Sequence, residues 1–311
     1  MRAVLVDPES SGHLAISEAP DPVPLSNQAL VQVKAVSLNL GEVRRARRSE
    51  PGTHLGWDLA GTVLEPAADG SGPPAGSRIV GLVRSGSWAD RAAVETRQMA
   101  VLPDGVTFAL AAALPVAGLT ALYALEQGGQ LLGRRVLVTG ASGGVGLFGI
   151  QLARLSGATV VALIRREEHR NLILQAGADQ VVVGDRATEA GAYGPYHCIL
   201  DSVGGQVLAD CMHLVAKGGV VVNFGVSAGE QATIDVGDFF RIGRARYYGL
   251  YLFTEFGRRS ATDGLGVLAD LIAAGRLHVT INAEGGLAEL GMQAERLFNR
   301  EIAGKAVIHV D

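Results

Sequence analysis

The chain has 311 residues, of which 48% are hydrophobic and 19% charged, and its formal net charge is −4. This length allows two domains with cores of their own, and the composition excludes a disordered chain. The 31 acidic and 27 basic residues show no basic excess of the kind that indicates a nucleic acid or anionic membrane partner. No apolar run approaches the roughly 20 residues of a membrane span, and residues 1–7 lack the apolar core of a signal peptide. The sequence therefore predicts a cytoplasmic globular protein.

The first part of the chain, residues 1 to about 115, is predicted to be rich in β-strands. Alternating apolar residues indicate strands at 29–36, 58–64 and 78–83, and turns rich in glycine and proline separate them, as at 69–76. Many short strands with such turns are typical of a small barrel. The alanine- and leucine-rich residues 108–127 that follow are predicted to be helical.

The segment from Arg135 to Arg154 has the pattern of a nucleotide-binding turn. An apolar run at 136–138 predicts a buried parallel strand, the glycine-rich Gly140–Gly146 follows, and apolar residues at helical spacing come next. Strand, glycine turn and helix form the context of a dinucleotide-binding fingerprint, because the glycines let the backbone approach a pyrophosphate. The free N–H groups of the first helical turn favour phosphate at the same place. The alternative is an ordinary strand–helix loop without a ligand.

Strands and helices alternate from about residue 117 onward. After the fingerprint, apolar runs predict five further strands at 159–164, 180–183, 197–201, 219–224 and 246–252. Six strands with helices between them favour a doubly wound parallel sheet. Helices are predicted near 264–274 and 287–299, and a last strand at 305–310 is expected to return to the first domain. The predicted fold class is α/β, with a β-barrel domain and an inserted doubly wound parallel sheet.

The end of the second strand of this sheet bears on the choice of dinucleotide. NAD enzymes have an acidic residue there for the ribose 2′-hydroxyl, whereas NADP enzymes have arginine instead. Here the strand ends with Ile164-Arg165-Arg166, so the sequence favours NADP(H), with two guanidinium groups for the 2′-phosphate. A register error of one or two residues would bring Glu167 to the ribose and favour NAD. Both arginines could also be solvated surface charges.

Eight short segments resemble one family, in the order in which that family has them: Val36–Glu42, Gly56–Gly61, Gly76–Ile79, Gly86–Asp90, Leu114–Ala121, the fingerprint, Asp201–Gly205 and Gly304–Val307. Together they resemble the medium-chain dehydrogenase/reductase superfamily, and within it the zinc-free quinone oxidoreductase branch. Zinc-dependent relatives have a histidine ligand where this chain has Trp57. They also have a structural loop of four cysteines, whereas this chain has only Cys198 and Cys211. The sequence therefore predicts that the chain binds no metal.

The resemblance implies a GroES-like substrate domain over 1–116, a Rossmann NADP-binding domain over 117–254, and a return to the substrate domain over 255–311. Contacts to the cofactor's phosphates and nicotinamide side are implied for Thr120, Ser142, Gly143, Gly144 and Val145. Contacts to the 2′-phosphate are implied for Arg165 and Arg166, with Arg170 as a further candidate. Contacts to the ribose and nicotinamide are implied for Val203, Phe224, Gly225, Leu252 and Phe253.

On the substrate side, the resemblance implies contacts for Asn39, Trp57 and Trp88. Asn39 is the catalytic candidate, expected to donate a hydrogen bond to a substrate oxygen, although a turn residue is the alternative. The two tryptophans could instead be core aromatic residues. The arginine run Arg44–Arg48 is interpreted as a solvated face, although it could also attract an anionic substrate.

The implied activity is hydride transfer from NADPH to a quinone or an α,β-unsaturated carbonyl compound, and such acceptors spread the developing charge without a metal. One alternative is an enoyl-thioester reductase of a fatty-acid or polyketide pathway. Relatives with that activity have a tyrosine proton donor shortly after the asparagine segment, and residues 43–49 contain none. Another alternative is an NADPH-binding structural or sensing protein with little turnover. The resemblance and the apolar Tyr247–Leu252 edge also imply a homodimer.

Overall fold

The structure is a computed structural model that describes all residues from 1 to 311, and it divides into two compact units. Unit 1 comprises Met1–Leu119 and Phe256–Asp311, and unit 2 comprises Thr120–Glu255. The sequence-based boundaries lie at 116/117 and 254/255. No helix combines the length and apolar character that crossing a membrane requires.

The chain contains fifteen strands and ten α-helices. The strands are β1 Arg2–Val6, β2 Leu14–Glu18, β3 Gln28–Leu38, β4 Asp58–Glu65, β5 Arg78–Leu82, β6 Arg91–Glu95, β7 Met99–Val101, β8 Arg135–Thr139, β9 Thr159–Ile164, β10 Gln180–Val183, β11 Tyr196–Asp201, β12 Val215–Asn223, β13 Arg246–Gly249, β14 Ile281–Gly286 and β15 Lys305–His309. The helices are α1 Leu40–Ala46, α2 Phe108–Ala112, α3 Pro115–Glu126, α4 Gly144–Leu155, α5 Arg170–Gln175, α6 Gly205–Leu214, α7 Val236–Ile242, α8 Leu252–Glu255, α9 Ala261–Ala273 and α10 Leu290–Phe298.

Unit 1 is built around the long strand β3. A seven-stranded sheet has the order β14-β15-β3-β4-β5-β7, and β6 pairs with β3 in addition. The first half of β3 pairs with β6 and its second half with β15, so that two strands follow one another along the same edge of β3. Strand β15 pairs antiparallel with β3, so the last strand of the chain is part of the sheet of unit 1. Apolar side chains from these strands form the core of this unit.

Unit 2 contains a six-stranded sheet with the order β10-β9-β8-β11-β12-β13. Every neighbouring pair in it is parallel. Parallel strands that are covered on both faces must be apolar along their length, and β8, β9 and β11 consist almost entirely of buried residues. The order is that of a dinucleotide-binding doubly wound sheet, with β8 as its first strand, so the predicted fold class is confirmed.

Three local predictions differ from the structure. The helical stretch 108–127 consists of two helices, because Pro115 has no backbone N–H and therefore begins α3 at its first position. The strand predicted at 246–252 ends at Gly249, and Leu252 begins a short helix. Strand β14 has no apolar run that would have predicted it, and it forms through parallel pairing with β15.

Candidate active site

The glycine turn between β8 and α4 has the backbone geometry that its sequence predicts. Gly140 directly follows β8 and has φ +58°, a left-handed conformation that glycine adopts without strain. Gly146 lies in the first turn of α4, where a Cβ atom would come within 2.6 Å of the backbone of Ala141. Only a residue without a side chain lets α4 pack this closely against the turn.

The amino terminus of α4 is open for a ligand. Residues 142–145 are half-buried, whereas the next eight residues of the helix, 146–153, are buried. The first hydrogen bond of the helix runs from the N–H of Leu147 to the carbonyl oxygen of Gly143. The N–H groups of Gly144, Val145 and Gly146 therefore have no backbone acceptor, and the helix dipole favours negative charge beside them. These groups and the Ser142 hydroxyl form a site suited to a phosphate.

The arginines after β9 differ in how far they are already engaged. Arg165 is exposed and makes no hydrogen bond or ion pair. Arg166 has a single long contact, 3.5 Å from Nη1 to Oε1 of Glu168. Arg170 donates two hydrogen bonds to Glu167 and one of 3.1 Å to the carbonyl oxygen of Val181. Arg165 is thus the guanidinium most available to a ligand.

Glu167, the acidic residue that an NAD site would need, lies beyond the end of the strand in a short 3₁₀ turn. Both of its oxygens accept hydrogen bonds from Arg170, which lowers the pKa of the Glu167 carboxyl below its usual value. Binding a ribose hydroxyl would require Glu167 to compete with this paired interaction. The local geometry therefore favours an arginine contact over a glutamate contact at this point.

Asp201, at the end of β11, joins three loops at the carboxyl edge of the parallel sheet. The buried carboxylate accepts hydrogen bonds from the Thr139 hydroxyl at 2.6 Å, the N–H of Gly204 at 3.0 Å and Nδ2 of Asn223 at 2.8 Å. Asn223 in turn donates to the carbonyl oxygen of Gly225 at 2.8 Å. No role was predicted for Asp201 itself, although the segment Asp201–Gly205 is one of the eight that resemble the family.

The other cofactor candidates in unit 2 lie in loops that follow its strands and in helices α3 and α8. Val203 and Phe224 are half-buried and follow β11 and β12, and a Cβ on Gly225 would come within 2.7 Å of the carbonyl oxygen of Ser202. Leu252 and Phe253 are each 6% exposed. Thr120 is 5% exposed on α3, so its side chain presents little surface to a ligand. The roles of these residues in cofactor binding stay predictions.

A buried network of polar side chains surrounds Asn39 in unit 1. The Lys305 ammonium, 4% exposed, donates to Oδ1 of Asn39 at 2.7 Å and lies 3.4 Å from Oδ2 of Asp58. Asp58 is fully buried and also accepts from the Ser37 hydroxyl at 2.7 Å and the N–H of Val116 at 2.9 Å. Buried charges are tolerated when they are paired and hydrogen-bonded in this way.

Glu42 is the second buried acid of this network. The backbone N–H and the Nδ2 group of Asn39 each donate to Oε2 at 2.9 Å, and the N–H of Trp57 donates to Oε1. Burial and the nearby negative charge of Asp58 raise the pKa of Glu42 from 4.5 to about 8, although Asn39, Lys305 and Trp57 oppose the shift. No role was predicted for Lys305, Glu42 or Asp58. For Lys305 and Asp58 the only signal was their place in segments that resemble the family, whereas Glu42 also has the Asn-x-x-Glu spacing of a capping box with Asn39.

Asn39 is half-buried, and both of its amide hydrogens are already donated. Nδ2 binds Glu42 at 2.9 Å and Asp58 at 2.8 Å. The expected donation to a substrate oxygen would therefore require one of these bonds to break. Trp57 is half-buried, with its ring beside Gly41, where a Cβ would come within 2.9 Å of the indole. Trp88 is 1% exposed and packs in the core of unit 1, so a substrate could reach it only through an opening that the structure does not show.

The potential metal ligands are dispersed. No group of three or more histidine, cysteine, aspartate and glutamate side chains is arranged to hold a metal ion. Cys198 and Cys211 are both buried free thiols, and burial raises the pKa of Cys198 to about 12 and that of Cys211 well above its usual value. Thiols of this kind are inert packing groups, because the reactive and metal-binding form is the thiolate.

Comparisons with known proteins agree with this architecture. The family model described as zinc-binding dehydrogenase matches residues 144–263. Erythronolide synthase EryA2 from Saccharopolyspora erythraea is 33% identical over 246 residues, which are 75% of this chain and 7% of that protein. The chain thus spans only a small part of this relative. Acryloyl-coenzyme A reductase from Metallosphaera sedula is 24% identical over 341 residues, with 99% of both chains covered.

Solved structures match over the whole chain. The quinone oxidoreductase from Coxiella burnetii is 25% identical, has a TM-score of 0.84, and is aligned over 100% of this chain and 99% of its own. The Escherichia coli quinone oxidoreductase complexed with NADPH is 23% identical, has a TM-score of 0.89, and is aligned over 99% of this chain and 100% of its own. The family match, the sheet order and the glycine turn agree, and the chain therefore belongs to the medium-chain dehydrogenase/reductase superfamily, within which it is quinone oxidoreductase-like.

Proposed function

We propose that the chain is an NADPH-dependent, zinc-independent reductase of quinones or α,β-unsaturated carbonyl compounds. In this proposal unit 2 binds the cofactor and unit 1 supplies the substrate side. The observation that carries it is the pairing pattern after β9, where Arg165 is free while Arg170 occupies Glu167. An unpaired guanidinium at the position that separates NADP from NAD enzymes suits a 2′-phosphate.

The residues present fit both of the charged groups of NADP(H), the pyrophosphate and the 2′-phosphate. The open first turn of α4 would hold the pyrophosphate, with the N–H groups of Gly144 and Val145 as donors and Gly146 allowing the close approach. Arg165 would bind the 2′-phosphate, and Arg166 could join it by giving up only its 3.5 Å contact to Glu168.

NADPH, when bound, supplies the hydride that reduces the acceptor. The chain's own contribution is to bind and orient both reactants, because an activated acceptor carries its developing negative charge on its own oxygen. Asp201 fixes the loops after β8, β11 and β12, around which the cofactor candidates lie. The described residues include no exposed acid bonded into the Asn39 network, so we propose that water supplies the proton.

The proposal is tested by titrating NADPH and NADH into the protein and into the double variant Arg165→Ala/Arg166→Ala, followed by cofactor fluorescence. A charge-assisted hydrogen bond contributes about 1.5–3 kcal/mol, so we expect the double variant to bind NADPH roughly 10–100-fold more weakly. NADH binding should change less than about twofold, since NADH has no 2′-phosphate. The matched control is Arg134→Ala. Arg134 is an exposed arginine of the same unit that directly precedes β8, so it lies at the amino-terminal ends of the parallel strands, whereas Arg165 lies at their carboxyl ends.

Three results are informative. The 2′-phosphate contact is supported if the preference for NADPH over NADH is lost in the double variant but kept in the wild-type protein and in Arg134→Ala. Equal binding of both cofactors by the wild-type protein would refute the arginine assignment and favour Glu167 as a ribose ligand. If neither cofactor binds, the glycine turn is an ordinary loop and the proposed activity is wrong. An acceptor series of quinones and enones then tests turnover, and tight NADPH binding with no acceptor reduced would favour a structural or sensing role.

An enoyl-thioester reductase is the second candidate, because a relative that is aligned over nearly the full length is an acryloyl-coenzyme A reductase. Residues 43–49 offer no tyrosine as proton donor, which is why this activity ranks second. Comparing crotonyl-coenzyme A with 2-cyclohexenone as acceptors separates the two activities. A kcat/KM more than about tenfold higher for the thioester would make this the preferred function, since tenfold corresponds to about 1.4 kcal/mol of transition-state stabilisation.

We also propose that the chain forms a homodimer through β13. This strand pairs with β12 on one side only, and Tyr247 in its centre is 48% exposed. Unpaired strand edges are ready templates for a second copy, and a two-fold axis would satisfy both edges at once. Light scattering on the wild-type protein and on Tyr247→Lys tests this, since a charge on the edge should yield a monomer.

A further inference from the structure

The Lys305 ammonium has an acceptor for each of its three hydrogens. It donates to the carbonyl oxygen of Leu38 at 3.1 Å, to Oδ1 of Asn39 at 2.7 Å, and towards Oδ2 of Asp58 at 3.4 Å. The shortest of these contacts is to the neutral amide and not to the carboxylate. Asp58 meanwhile has three other donors, which are Ser37, Asn39 and the N–H of Val116. Lys305 therefore does more in this network than neutralise Asp58.

The surroundings of the Asn39 amide determine which way it faces. Its NH₂ group lies between two carboxyl groups, 2.9 Å from an oxygen of Glu42 and 2.8 Å from an oxygen of Asp58, and its own oxygen faces the Lys305 ammonium. The reversed amide would direct its hydrogens at a cation and its oxygen at the acceptor oxygens of both acids. Lys305 and the two acids thus allow one orientation. In that orientation the amide has no free hydrogen, and only the second lone pair of Oδ1 is left for a ligand.

We propose that Lys305 is a positioning residue of the reductase site, which locks the Asn39 amide so that it offers a ligand an acceptor oxygen and no donor. This inference rests on the proposed function and deepens it. Asn39 would then bind a hydroxyl or N–H group of the bound cofactor or substrate, and the carbonyl oxygen of the acceptor would be held by other groups. The role expected for Asn39 from the sequence, donation to the substrate oxygen, is the opposite one.

The coupling between Lys305 and Asn39 can be measured without cofactor or substrate. The chain has only three lysines, Lys34, Lys217 and Lys305, so ¹⁵N-lysine labelling gives a simple ammonium spectrum. We expect one ammonium group to be protected from solvent exchange, to vanish in Lys305→Met, and to shift in Asn39→Ala. Labelled asparagine should show the Asn39 amide hydrogens losing their exchange protection in Lys305→Met. A Lys305 signal that Asn39→Ala leaves unchanged would overturn the inference.

A double-mutant cycle on the kinetics distinguishes positioning from general stability. Lys305→Met and Asn39→Ala should each lower kcat about tenfold, as the loss of one oriented hydrogen bond predicts, and the double variant should be no slower than either. If Asn39 binds the substrate, the dissociation constant of NADPH should change less than about threefold in these variants, because the phosphate contacts lie in unit 2. If Asn39 binds the cofactor, the dissociation constant should rise about tenfold, as the loss of one hydrogen bond predicts. The matched control is Lys217→Met, an exposed lysine that should retain the full kcat.

Lys305→Met leaves Asp58 buried without its cation, so this variant is paired with Lys305→Met/Asp58→Asn, which removes both charges and keeps the shape. If the double variant Lys305→Met/Asp58→Asn has the melting temperature of the wild-type protein and still has the lowered kcat, the positioning role of Lys305 is supported. Wild-type kcat in that double variant, or additive losses in the cycle, would overturn the inference. If the protein reduces no acceptor at all, the proposed function fails, and the two labelling experiments still decide whether Lys305 locks Asn39.

Discussion

Glu42 makes the stability of unit 1 depend on pH in an unusual direction. Burial and the charge of Asp58 raise the pKa of this carboxyl from 4.5 to about 8. Between these values the folded chain keeps a proton that the unfolded chain releases. The unfolded state then binds fewer protons, so the free energy of unfolding falls as pH rises through this window and levels off above about 8. The substitution Glu42→Gln removes the titrating group and should remove this slope.

The size of the effect follows from the shift. Each pH unit inside the window changes the free energy of unfolding by up to about 1.4 kcal/mol, so the wild-type protein should lose a few kcal/mol as the pH rises across the window. Glutamine has the shape of the protonated acid, but its NH₂ group would face at least one of the three N–H donors, so near the lower end of the window the variant should be less stable than the wild-type protein by about 1–3 kcal/mol. The gap between the two proteins should therefore narrow, and even reverse, as the pH is raised.

The assay is urea unfolding of both proteins across this pH window, with Glu50→Gln, an exposed acid near the same helix, as the control. The reasoning is refuted if the wild-type and Glu42→Gln curves run parallel with pH. That result would mean that the three N–H donors around the carboxylate outweigh burial and hold Glu42 ionised. The reasoning is supported if the free energy of unfolding falls with pH in the wild-type protein and in Glu50→Gln but not in Glu42→Gln.

Four further substitutions probe packing and buried polar groups, and the free energy of unfolding of each variant is measured with denaturant. Gly146→Ala should cost about 1–3 kcal/mol, because the new methyl would meet the Ala141 backbone, whereas Gly266→Ala on α9 meets nothing and should stabilise by up to about 1 kcal/mol. Trp88→Phe should change stability by less than about 1.5 kcal/mol, since removing the unpartnered buried indole N–H offsets part of the lost packing. Asp201→Asn should cost about 2–4 kcal/mol, since the amide cannot accept all the hydrogen bonds that the carboxylate does. Equal effects of the two glycine substitutions, or a neutral Asp201→Asn, would contradict these expectations.

The parallel sheet could be predicted from the sequence because most of its strands contain an apolar run bounded by glycines or charges. Strands β9 and β10 begin and end at the predicted residues. The glycine turn was equally predictable, since Gly140 and Gly146 serve backbone geometry that depends on residues close in sequence. Strand β14 was not predictable, because its Ile281–Gly286 sequence is polar and glycine-rich and it is held by pairing with a distant strand.

In the candidate site, too, some features follow from the local sequence and others from contacts between distant residues. The exposed arginine after β9 follows from the local sequence, but its freedom depends on Arg170 binding Glu167 instead. The engagement of Asn39 depends on Lys305, which lies 266 residues further along the chain. The contact with Glu42 follows a local pattern, the Asn-x-x-Glu capping box at the start of α1, but no local pattern could have indicated that Asp58 and Lys305 would enclose the same amide. Local chemistry thus identified the candidate residues, and tertiary contacts determined what each of them can offer to a ligand.

The position of β15 has a consequence for the order of events during protein synthesis. This strand lies between β3 and β14, so the sheet of unit 1 lacks an internal strand until residues 305–309 have left the ribosome. Unit 2 is continuous in sequence, and all its strands are available about 50 residues earlier in translation. A nascent chain would therefore carry a finished nucleotide-binding unit beside a barrel with an open seam. The unpaired edges of β3 and β14 at this gap are the part of the nascent chain at which we expect chaperones to bind.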